Sequence, residues 1–61
     1  MYRRLTALLR AAGCPLEGQG KGSNEIWWNP IIGRTLQVPI SIKNRPLANG
    51  ILNQPGLPNA F

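Results

Sequence analysis

The sequence predicts an α+β two-layer sandwich in the order helix–strand–strand–strand–helix, one antiparallel sheet covered on one face by two helices. Three observations point there. A leucine stripe with helical spacing opens the chain and stops at a glycine. Apolar and polar residues then alternate from Leu36 to Lys43, and helical spacing returns at Leu47, Ile51 and Leu52.

The first helix is predicted over Met1 to Ala12. Leu5, Leu8, Leu9 and Ala12 fall within an arc of roughly 100°, the width of a core-facing stripe, and Arg3 and Arg10 lie opposite. Gly13 is a natural C-terminal stop, and Pro15 prevents continuation. Cys14 to Glu17 reads as a short first strand, followed by a glycine-rich loop from Gly18 to Ser23. The run Asn24 to Trp28 has strand character, with Ile26 and Trp28 on the core side and Trp27 on the other. Residues 29–33 supply turn chemistry, and Arg34 to Val38 is the next strand.

Leu36, Val38, Ile40 and Ile42 form the apolar side of that alternation. Pro39 lacks an amide donor, so the strand ends there or lies at an edge. A second helix is expected from Leu47 to Gln54, weakened by Gly50 and ended by Pro55, with Leu57 and Phe61 packing back as a tail.

Residues 1–61 are short enough for a single domain. A chain of this length buries roughly 60% of its unfolded surface, which excludes a self-contained enzyme with a deep pocket. Seven Lys/Arg against two Asp/Glu give a formal charge of +5, which suits a polyanionic partner such as RNA; a basic solubilising surface is the plainer alternative. The lone Cys14 cannot form an internal disulfide, and without histidine no zinc site can be built, so neither metal nor cofactor is expected. It reads as a small core residue. The single thiol favours a reducing cytoplasm, and neither a signal peptide nor a membrane span is expected.

The run Gly20-Lys21-Gly22-Ser23-Asn24-Glu25-Ile26-Trp27, then Gly33-Arg34, Val38-Pro39, Leu47-Ala48, Ile51-Leu52, Gln54 and Gly56-Leu57, resembles the HicA, or YcfA-like, family. Its most specific part is the Lys-Gly-Ser element that opens a strand. The resemblance implies a fold like that of double-stranded-RNA-binding domains and an mRNA-cleaving toxin activity. It also implies neutralisation by a HicB antitoxin, with oligomerisation through that complex.

The family's motif has its catalytic histidine after Gly-Ser. Here that position is Asn24, and the chain contains no histidine. Metal-free RNA cleavage needs a base for the ribose 2′-hydroxyl and an acid for the leaving 5′-oxygen. An asparagine amide takes up no proton near neutral pH. Losing one such group costs about 10²–10⁴ in rate, or roughly 3–5 kcal/mol of transition-state stabilisation. The chain is therefore expected to be a catalytically inactive endoribonuclease scaffold. The alternatives are a non-catalytic RNA-binding module and a protein whose task is to bind antitoxin.

RNA binding uses charge rather than proton transfer. Lys21, Arg34, Lys43 and Arg45 are the candidate phosphate contacts, and Gly22 lets the backbone amide near Ser23 approach a phosphate oxygen. A flexible hairpin loop is the plainer reading of those glycines. Trp27, on the side away from the core, is expected at the antitoxin interface or stacked on a base, with plain packing the equal alternative. Ser23 has no partner to activate it as a nucleophile. Glu17 and Glu25, the only carboxylates, are expected at the surface, a metal or acid–base pair being the alternative, and Tyr2 is expected exposed or packed against the first helical turn.

Overall fold

A computed structural model describes all 61 residues. The elements are α1 (Tyr2–Ala11), β1 (Leu16–Gln19), β2 (Asn24–Asn29), β3 (Arg34–Pro39) and α2 (Arg45–Asn53). This is the predicted α-β-β-β-α order, a fold of the kind found in double-stranded-RNA-binding domains. The strands form one antiparallel sheet in the order β1-β2-β3. No helix is long and apolar enough to cross a membrane.

Gly13 ends α1 with φ 87°, a left-handed conformation that costs a glycine little. Its amide donates to the Arg10 carbonyl at 3.0 Å, and the Cys14 amide donates to the Leu9 carbonyl at 2.9 Å. These are the two bonds of a Schellman cap, and they carry Cys14 under the helix into the core beside Leu9. Burial raises the Cys14 thiol above its ordinary pKa, which favours an unreactive thiol.

The same cap sets where β1 begins. Cys14 has spent its amide on α1 and Pro15 has none, so the ladder opens only with the Pro15 carbonyl accepting from Trp28 at 2.8 Å. The first strand therefore runs over Leu16–Gln19 rather than Cys14 to Glu17, and Gly18 and Gln19 belong to it instead of to the loop. A bulge interrupts its pairing with β2 between Leu16 and Gly18.

The core side of β2 corrects the sequence reading. Trp27 is 0% exposed and lies opposite Leu36, within a core that also takes Leu5, Leu9, Val38 and Leu52. Ile26 and Trp28 are half-buried on the uncovered face. Each fully buried leucine contributes about 1.5–3 kcal/mol, and α1 and α2 supply most of them.

Glu25 shares the Trp27 side and is 8% exposed, not a surface residue. Its Oε1 accepts the Tyr2 hydroxyl at 2.6 Å and the Trp27 indole N–H at 3.1 Å. Two donors offset the cost of burying a carboxylate, and one comes from α1. The Arg10 guanidinium covers the Trp27 ring at 4.8 Å from its centroid. Asn29, at the end of β2, is fully buried; its Oδ1 accepts the Ile31 amide at 3.1 Å, while its Nδ2 has no partner.

β3 ends at Pro39 and is an edge strand, as the missing amide donor requires. Ile42 still reaches the core, but Ile40, past the strand end, is exposed. The second helix starts at Arg45 rather than Leu47, because Asn44 caps it by accepting the Leu47 amide at 2.8 Å and Pro46 suits the first turn. It ends before Pro55, and Gly56, at φ 90°, turns the chain back. Asn49 Oδ1 then accepts the Ala60 and Phe61 amides at 3.0 and 3.1 Å, holding the tail against the helices.

Replacing Tyr2 by Phe removes a bond to a buried charge and is expected to cost about 1–2 kcal/mol in urea unfolding. A change under a few tenths would show that the bond does not hold α1. The hydrogen bond to Glu25, then burial and the Glu25 charge, raise the Tyr2 phenol above its ordinary value near 10, against a smaller lowering by Arg10. The folded chain thus holds this proton more tightly than the unfolded one. Its stabilisation is complete below about pH 10 and is lost as pH rises through the folded value. Thermal unfolding followed against pH should show this alkaline loss reduced in Tyr2→Phe, with the Cys14 contribution remaining.

Candidate nucleic-acid interface

The β1–β2 hairpin closes over four residues. The Gly20 amide donates to the Asn24 carbonyl at 2.8 Å, and the Asn24 amide donates to the Lys21 carbonyl at 3.2 Å. Gly22 takes φ 61°, which a side chain would strain. Gly20 is tight for a different reason: a Cβ there would stand 3.0 Å from Ile26 Cδ1, which would have to shift to admit it. Lys21, Gly22 and Ser23 form an exposed tip. The Ser23 carbonyl accepts the Ile40 amide at 2.9 Å, tying the tip to the chain leaving β3.

Asn24 is the first residue of β2, half-buried on the uncovered face opposite Pro39. Its Nδ2 donates to Gln37 Oε1 at 3.4 Å, a long and weak bond. Glu25 follows directly in sequence but points to the opposite face, where Tyr2 and Trp27 occupy it. No histidine exists to replace it. Position 24 can therefore offer hydrogen bonds to a ribose or phosphate, while the neighbouring side chains provide no evident near-neutral acid–base pair.

All seven Lys/Arg are exposed, whereas Glu17 is the only exposed carboxylate. The cations sort into separate places. Lys21 stands at the hairpin tip beside Asn24, and Lys43 lies in the segment leaving that same end of the sheet for α2. Arg34 pairs with Asn29 at the other end, about 17 Å along the strands from Asn24. Arg45, in the first turn of α2, lines a shallow groove of the helical layer with Met1, Arg4, Ala60 and Phe61. The fold thus gathers Lys21, Gly22, Ser23 and Asn24, and sets Arg34 and Arg45 apart from them.

Trp27 does not belong to any interface of this chain, because the helices cover it completely. On the sheet, the aromatic residue available to a partner is Trp28, which the sequence reading places inside. Gln37, the contact of Asn24, also escaped that reasoning; its alternation with the core residues Leu36 and Val38 was the signal that places it outward.

Gly22→Ala is expected to destabilise the chain by about 1 kcal/mol through its left-handed backbone. Gly18→Ala, with open space at its Cβ, should stay within about 0.5 kcal/mol. Paired chemical unfolding curves read both. Equal effects would mean that the tip does not hold the conformation described.

No protein-family model, curated protein or solved structure matches this chain.

Proposed function

We propose that this chain is a HicA-like toxin scaffold of a type II toxin–antitoxin system, with the RNA-binding surface of an mRNA endoribonuclease and no catalytic activity of its own. The observation that carries this reading is the setting of Asn24. It opens a strand directly behind a Lys-Gly-Ser hairpin tip, on the uncovered face, where the family's motif has histidine. Lys21 and the amides around Gly22 and Ser23 are the phosphate contacts next to it, supported by Lys43. The exposed charge, seven cations against one carboxylate, favours a polyanionic ligand.

A HicB-like antitoxin is the protein partner in this reading, and the reducing cytoplasm its compartment. With Trp27 buried, no residue is assigned to the antitoxin contact. The second reading, a basic module that binds RNA or antitoxin and never cleaves, draws on the neutral amide contact between Asn24 and Gln37.

Restoring histidine separates the two. On a labelled RNA, the chain as it stands should not cleave above background, and Asn24→His should raise cleavage by about 10²-fold or more. A folded Asn24→His protein that remains inert would favour the binding module. Cleavage by both proteins would place the essential proton transfer away from position 24.

A further inference from the structure

We infer that the uncovered face of the sheet is a track for single-stranded RNA, with Trp28 as the platform on which a base stacks. This rests on the RNA-binding reading above and assigns it a strandedness and a path. The helices pack on the side of Trp27, Leu36 and Val38, so Asn24, Ile26 and Trp28 of β2 and Thr35 and Gln37 of β3 are left facing outward.

On the β1 side that face is thinly covered, with the exposed Glu17 of the bulge next to it. Gly18 lies opposite Ile26 and contributes no side chain, and Ile26 lies over Gly20. On the other side Trp28 faces only Thr35, which is too small to cover an indole. None of these five outward residues carries a charge; Lys21 stands beyond one end, and at the other the exposed Arg34, which has the strand parity of Leu36 and Val38, flanks the strip from the helix side. Cations at both ends of an uncharged aromatic strip suit a strand whose phosphates are held at its ends and whose bases lie between. In a duplex the bases are stacked on one another and cannot reach an indole on a sheet.

The test uses the full chain with a short fluorescent oligouridylate and with its duplex formed on oligoadenylate. The single strand should bind more tightly than the duplex. In nitrogen–proton spectra the Trp28 indole resonance should move on adding oligouridylate, while that of Trp27, bonded to Glu25, stays. Trp28→Ala should weaken binding about 5- to 100-fold without changing the salt slope, and Trp28→Phe should keep most of the affinity. Arg34→Ala should reduce the slope of log affinity against log salt by about 0.7.

Single-strand binding that neither moves the Trp28 resonance nor weakens in folded Trp28→Ala overturns the track and leaves the RNA reading standing. So does a preference for the duplex. A chain that binds neither RNA overturns both, and a Trp28 resonance that moves only with a protein partner assigns the face to that partner instead.

Discussion

The hydrogen bond from the Tyr2 hydroxyl to Glu25 ties the face of the central strand to the first helix. Glu25 Oε1 is shared between that hydroxyl and the Trp27 indole, so a single buried carboxylate joins two positions of β2 to the first turn of α1. Without its donors the carboxylate would be an uncompensated buried charge, which is strongly destabilising. Turning β2 over would expose Trp27 and take Glu25 away from its Tyr2 donor. Strand parity is therefore held by polar bonds as well as by packing, and it is this parity that sends Asn24, Ile26 and Trp28 outward.

Much of this fold could be read in the sequence because its punctuation is chemical. Gly13 ends α1 through a left-handed cap, Pro39 ends an edge strand, and Pro55 stops α2. Leu5 and Leu9 lie in the core as their spacing predicts. The orientation of β2 was not legible, since apolar side chains occupy both of its faces and a glutamate beside Trp27 suggests solvent. It depends on the length of the turn. Four residues, 30–33, pair Asn29 with Arg34 and so Trp27 with Leu36; one residue more would bring Trp28 opposite Leu36, and one fewer would bring Ile26 there. The start of β1 was hidden for a related reason, because the α1 cap takes the Cys14 amide from over the sequence boundary.

For the candidate site, residue choice was more legible than residue location. Lys21, Gly22, Ser23 and Asn24 come together because they are consecutive on a hairpin tip. Arg34, Lys43 and Arg45 were selected by charge alone, and charge does not say which end of a sheet a residue occupies. The pairing places Arg34 at the far end, and the start of α2 places Arg45 on the helical layer. In the reading proposed above, such a surface holds a polyanion without the means to cleave it: the amide of Asn24 offers hydrogen bonds, and the one carboxylate beside it in sequence is turned inward.

Residue-resolved hydroxyl-radical labelling of the folded chain, with and without oligouridylate, tests this arrangement most directly. Trp28 should oxidise readily in the free chain and become protected by RNA, while its neighbour Trp27 stays unmodified in both. Oxidation of Trp27 at a rate equal to that of Trp28 would contradict the strand orientation on which the site depends.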